Sequence, residues 1–315
     1  MKALATACAV VLATFANAHA GDAEIGLSVD QLFESRVSVN DGIKDEAAKR
    51  GFEIIEVVAD GDAQQQNAQI QSLITQGVDA ILVCAVDQNT IERALVAADR
   101  AGIPVVAYDR DLPDSRVVKA FVGPDSISDG RLAGEYTAKA LSDRGGDLTI
   151  VELIGALNDQ NGIDRSKGFR EGIASLENIN LIEVPTDWDS ARALSGTQNA
   201  FQANPDVDAV FAATDTHIPA VETVLTDLDK ISDKGSDEHV VVTGVNGSND
   251  GYQAVLNGTA DAFVVMGTEQ TGRRAVELVA DILDGKEVPR TNVVAGTLYT
   301  ADDAEANKAK IWGAR

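Results

Sequence analysis

Cysteine, histidine and aromatic side chains are scarce in this chain: 2 Cys, 3 His and 4% Phe, Trp and Tyr among 315 residues. Two cysteines leave no room for a disulfide framework, and without Cys/His spacing there is no zinc-type ligand pattern. Basic residues are also few, with 26 Lys and Arg against 50 Asp and Glu and a formal net charge of -24. Nucleic-acid binders gather cations to displace phosphate counterions, so this balance argues against a DNA or RNA partner. Catalytic signatures are missing too: there is no G-x-S-x-G elbow, no G-x-x-x-x-G-K phosphate loop and no G-x-G-x-x-G after the first strand. The acidic stretch 227–238 lacks the ligand spacing of a calcium loop and reads as a solvated connection. No catalytic residue, metal or cofactor is expected.

The amino terminus reads as an export signal. Lys2 precedes an apolar run over residues 3–16, broken only by Thr6 and Thr14, and Ala18-His19-Ala20 forms a small-x-small cleavage pattern. The run is shorter than the roughly 18 to 20 residues a membrane span needs, and no later segment is long and apolar enough to supply one. Removing residues 1–20 leaves 295 residues, Cys84 as the only cysteine, and a net charge of -25. With one thiol, stability must come from burial, which a chain of 44% hydrophobic and 24% charged residues can provide.

What the sequence does contain is a regular alternation. Residues 24–29 (EIGLSV) read as a strand and 35–50 as a helix stopped by Gly51; 52–58 is a strand, 63–76 a helix stopped by Gly77, and 79–84 a strand. Helix 90–101 and strands 104–108 and 117–122 follow, the last ending at Gly123-Pro124. The pattern then restarts, with helices at 127–141, 166–176, 191–203, 218–228, 250–256 and 272–283 and strands at 148–154, 180–184, 209–213, 240–245, 262–265 and 292–295. Such alternation means βαβ units and parallel sheets covered on both faces. There are too many strands for one ordinary sheet, so the expected architecture is α/β with two similar doubly wound lobes. No linker separates them, which points to short strand-like crossings of the kind that serve as hinges.

In open α/β sheets ligands bind beyond the carboxyl ends of the strands. Asp109-Arg110 follows strand 104–108; a carboxylate beside a guanidinium can accept from and donate to neighbouring hydroxyls, as a sugar requires, although a surface ion pair would look the same. Thr214-Asp215 ends strand 209–213, Asn246 ends strand 240–245, and Arg165 precedes the helix containing Phe169. Helix capping by Asp215 and a turn at Asn246-Gly247 are the structural alternatives. Trp188 stands between Asp187 and Asp189 in a chain poor in aromatics; its face could cover a sugar ring or pack on the core.

Five segments carry a family resemblance: GVDAILVCAVD (77–87), AGIPVVAYDR (101–110), RSKGF (165–169), NPDVDAVFAATD (204–215) and VVTGVNGSNDG (241–251). In this order and spacing they resemble periplasmic sugar-binding proteins of the ribose, xylose and galactose type. The resemblance implies a type I periplasmic binding fold, with two lobes joined by three crossings that close on a small neutral sugar or polyol and deliver it to the membrane subunits of an ABC permease. It implies a periplasmic monomer and a discontinuous division, residues 21–124 plus 267–295 and residues 125–266 plus 296–315. It places Asp109 and Arg110 on the ligand from one lobe and Arg165, Trp188, Thr214 and Asn246 from the other. Asp215 is a further candidate. Arg36, in the first βα loop, resembles the xylose type, and Met266 stands where ribose proteins carry Gln. Thr214 and Asn246 also depart from the frequent Asn and Asp, which favours another pentose, a hexose or a polyol over ribose.

Sugar-responsive repressors share this two-lobe fold, but they need a helix-turn-helix where an export signal stands here. A sensor that presents its closed form to a chemoreceptor would have the same sequence features as a transport protein.

Overall fold

The structure, a computed structural model, describes residues 23–236 and 238–315; the export signal read at residues 1–20 lies outside them. The chain runs β1 (Glu24–Val29), α1 (Glu34–Arg50), β2 (Glu53–Val58), α2 (Ala63–Gln76), β3 (Ala80–Val83), α3 (Glu92–Arg100), β4 (Val105–Tyr108) and β5 (Val118–Pro124). It continues through α4 (Ser126–Leu141), β6 (Leu148–Ile154), α5 (Gln160–Gly172), β7 (Ile179–Pro185), α6 (Ser190–Ala203), β8 (Ala209–Ala212), α7 (Ile218–Asp227), β9 (Val241–Asn246), α8 (Asn249–Asn257) and β10 (Ala262–Val265). Helix α9 (Thr268–Leu283), β11 (Thr291–Val294), β12 (Thr297–Thr300) and α10 (Ala301–Ala304) complete it.

The strands sort into two six-stranded sheets, in the orders β11-β5-β4-β3-β1-β2 and β12-β10-β9-β8-β6-β7. The first sheet is parallel throughout; the second is parallel except where β12 runs antiparallel along β10. These are the two doubly wound lobes expected from the alternation. Among the described residues the chain passes between them three times: after β5, between β10 and β11, and between β11 and β12.

Strands covered on both faces need apolar residues on both, and the short runs supply them. In the first lobe Val39 and Ile43 of α1 join Val276 and Val279 of α9 on one face, while Ile70, Leu73 and Leu95 of α2 and α3 fill the other. In the second, Phe169 of α5 stacks on Phe211 of β8 with ring centroids 4.1 Å apart, and Phe201, Val221 and Tyr252 pack on the opposite face. Glycine allows the closest helix contact: a Cβ on Gly168 of α5 would lie 2.0 Å from the Ile127 carbonyl oxygen of α4.

Capping explains the boundaries of α2 and α5. Helix α2 begins where Asp62 accepts the Gln64 and Gln65 N–H groups and ends at Gly77, whose φ of 78° suits glycine. Helix α5 starts six residues before its expected position because Asp159 accepts the Asn161 N–H at 2.9 Å. Arg165 therefore lies within this helix and does not precede it. Arg36 likewise stands in the first turn of α1, not in a loop, and α9 begins at Thr268 instead of residue 272. The antiparallel edge strand β12 was not expected at all.

Candidate functional site

The carboxyl ends of strands from both sheets face one cleft. Its inner chamber, about 160 Å³, is lined by Phe33, Glu34, Ser35, Arg36, Asp109 and Arg110 from the first lobe and by Asp159, Asn161, Arg165, Trp188, Thr214, Thr216, Asn246 and Met266 from the second. An outer chamber of about 360 Å³ adjoins it past Phe33, Arg110, Asp159 and Trp188.

On the first lobe the polar wall is an ion network. Arg36 Nε donates to Asp30 Oδ1 at 2.8 Å, and its Nη2 donates to Asp109 Oδ2 at 2.8 Å. The guanidinium also lies 5.5 Å from the centre of the Tyr108 ring. Arg110 Nη1 is 3.2 Å from Asp30 Oδ2 and donates to the Ala85 carbonyl at 3.1 Å. Burial opposes ionisation of Asp109, but the Arg36 charge and hydrogen bond, with Arg110 and Arg165 beyond, hold it below the usual carboxylate range. The same carboxylates outweigh the burial of Arg36 and keep it firmly protonated. Asp109 is thus a fixed acceptor with one oxygen on Arg36.

On the second lobe Arg165 is 5% exposed; its Nη1 donates to the Ala213 carbonyl at 2.8 Å and its Nη2 to Met266 Sδ at 2.8 Å. Its Cζ lies 5.8 Å from the Trp188 ring centre. Trp188 is half-buried: it packs against the core formed by Phe169, Phe211 and their neighbours, and it also lines the cleft. The ring rests on Gly155, where any Cβ would come within 2.1 Å of it. Thr214 and Thr216 hydroxyls are 3.0 Å apart. The Asn246 carbonyl accepts from Trp312 Nε1 at 2.9 Å and from the Met266 N–H at 3.0 Å.

Asp109, Trp188 and Asn246 all have positive φ, at 62°, 62° and 140°, a conformation that costs L-residues energy and that clusters at ligand sites. Of the residues singled out in the sequence, Asp109, Arg110, Arg165, Trp188, Thr214, Asn246, Arg36 and Met266 line the inner chamber, and Asp215 does not. Asp215 is fully buried, with Oδ2 accepting the N–H groups of Gly247 and Ser248 at 2.7 and 3.0 Å and Oδ1 accepting the Ser248 hydroxyl at 2.6 Å. Its carboxylate organises the turn into α8. Phe33, Glu34, Ser35, Asp159, Asn161 and Thr216 were not anticipated.

Close to the cleft, Asp129 of α4 anchors the third crossing, accepting the Gly296 N–H on Oδ1 at 2.9 Å. Its Oδ2 is buried with no hydrogen-bond partner among the described residues. Burial raises its pKa to about 6, against the opposing influence of Arg165 and the Gly296 N–H.

Residues 28–287 match the model of the periplasmic binding protein domain. The chain belongs to this family. The binding protein is 33% identical over 268 residues to the ribose import binding protein of Bacillus subtilis, covering 85% of this chain and 84% of that one. It is 32% identical over 292 residues to the ribose import binding protein of Escherichia coli, covering 91% and 95%. Among solved structures it superposes with a TM-score of 0.82 on an ABC transporter solute-binding protein of Bacillus halodurans with bound myo-inositol, at 26% identity and covering 93% of this chain and 99% of that one.

Proposed function

We propose that the binding protein captures one small neutral sugar or polyol between its lobes and delivers it to an ABC permease. The observation that carries this reading is the convergence, from both sheets, of fixed hydroxyl-binding groups around one aromatic face. Asp109, Arg36 and Arg110 supply acceptors and donors on one side; Arg165, Thr214, Asn246 and Asn161 do so on the other, with the Trp188 ring available for the C–H face of a pyranose or furanose. The charges beside the chamber are offset by pairing, Arg36 with Asp30 and Asp109 and Arg110 with Asp30 and Asp159. A neutral ligand leaves that pairing intact, whereas an ionic one would bring an unpaired charge into a closed site.

In this reading the chain is exported, loses residues 1–20, and works in the periplasm as a monomer without cofactor or catalysis. The lobes divide as residues 21–124 plus 267–295 and 125–266 plus 296–315. A ligand that touches both lobes stabilises only their closed arrangement, which is the form a permease would recognise. The test is thermal denaturation and calorimetric titration against a panel of pentoses, hexoses and polyols that includes D-ribose and myo-inositol. A ligand at 100 times its Kd should stabilise the protein by about 2.7 kcal/mol. No response to any panel member would refute the reading.

A further inference from the structure

We propose that Asp159 is a closure latch: it ties the two lobes together without touching ligand and so sets the affinity for every ligand in common. The inference rests on the sugar-capture reading only for its effect on affinity.

Asp159 follows β6 in the second lobe and is 9% exposed. Its Oδ1 is spent on capping α5 through the Asn161 N–H. Its Oδ2 meets two groups at once: Arg110 Nε of the first lobe at 3.2 Å and the indole N–H of Trp188 at 3.2 Å. One residue pair away, Asn161 Nδ2 donates to the Asp109 carbonyl at 3.2 Å, with Asn161 Oδ1 accepting from the Ser126 hydroxyl at 3.0 Å. The helix cap of the second lobe is thus bonded directly to the Asp109-Arg110 pair of the first, with both Asp159 oxygens already committed to protein groups. Arg110 follows a strand of one sheet and Asp159 a strand of the other, so their bond spans the cleft and must break if the lobes part at this point.

A bond between the lobes shifts the open-closed equilibrium whether or not a ligand is present. The apparent Kd is the intrinsic Kd divided by the closed fraction, so weakening the latch multiplies every Kd by one factor. A residue that touched ligand would change different sugars by different factors.

Asp159→Asn separates the latch from the cap, because asparagine is as good an N-cap as aspartate but carries no charge for Arg110; it is made both in the parent and in Trp188→Phe, whose ring has no N–H for Asp159 to hold, so that loss of the indole bond is controlled. Closure is read by single-molecule energy transfer between dyes on exposed positions Arg93 and Gln202, one in each lobe. Dissociation constants are measured for D-ribose, myo-inositol and any other panel sugar that binds. The expected result is a smaller unliganded closed fraction in D159N and a Kd raised about five- to tenfold, equally for all binding sugars, through faster dissociation. An unliganded parent that never closes, an unchanged closed fraction in D159N, or Kd changes that differ among sugars would each overturn the latch. If no sugar binds the parent, the functional reading fails by itself, and the closed fractions still decide the latch.

Discussion

Replacing Gly155 with alanine tests the placement of Trp188 without altering any group that could touch a ligand. The added methyl carbon would lie 2.1, 2.3 and 2.4 Å from Cη2, Cζ2 and Cζ3 of the indole. Gly155 is not among the residues with positive φ, so alanine fits the backbone and the strain falls on the ring alone. To regain ordinary contact at 3.4 Å the ring must retreat by about 1.3 Å. Its N–H is held by Asp159 and the ring packs against the core around Phe169 and Phe211, so the displacement is directed toward the cleft that it also lines. Overpacking of this kind costs about 1–3 kcal/mol. A ring pushed into the chamber should weaken binding of a panel sugar about ten- to a hundredfold, or about 1.4–2.7 kcal/mol. Calorimetric titration gives the affinity, and urea denaturation shows whether the fold is kept. The double variant G155A/W188A supplies the decisive comparison: with the indole gone the methyl has nothing to displace, so it should bind as W188A does. A parent-like Kd in G155A, or an equal further loss in the double variant, would refute this account of Trp188.

Arg110→Ala should weaken sugar binding at least about tenfold, about 1.4 kcal/mol, while the urea midpoint moves little; calorimetry on a panel sugar checks it. Asp129→Asn should stabilise the protein in a pH-dependent way. The folded pKa of about 6 exceeds the ordinary 3.8, so the folded state binds the proton more tightly, and ionisation imposes a cost that is absent below 3.8 and complete above 6. Relieving it is worth up to about 3 kcal/mol at pH 7.5 and less at pH 4.5. Equal effects of D129N in urea titrations at the two pH values would show that Asp129 does not carry this cost.

The lobes were legible in the sequence wherever a helix announced both ends, as α2 does with Asp62 and Gly77. Helix α5 was misplaced because its first turn, Asn161 and Gly162 after Asp159, has the composition of a loop; only the geometry shows Asp159 acting as a cap. That one boundary hid Asp159 and Asn161 from the site, since both belong to the cap and first turn. Strand β12 has four residues, and a short edge strand of this kind leaves little pattern to read. Asp109 and Arg110 after β4, Trp188 three residues past β7, Thr214 two past β8 and Asn246 at the end of β9 were found by their position at strand ends. The same signal was available for Asp30, which follows β1 as Asp109 follows β4. Asp215 shows the limit of this signal: it too follows a strand, but its side chain turns to the backbone of residues 247 and 248.

Between β11, in one sheet, and β12, in the other, the chain has only Ala295 and Gly296. Three Cα steps of about 3.8 Å allow at most about 11 Å between the pinned strand ends. The two halves of the molecule therefore cannot slide past or drift from one another by any useful distance while both strands stay paired. Relative translation is confined to what this span allows, and rotation about the short leash is the larger freedom that remains. The displacement of a group then grows with its distance from residues 295 and 296, so a modest angular change is enough to admit a ligand at the far rim.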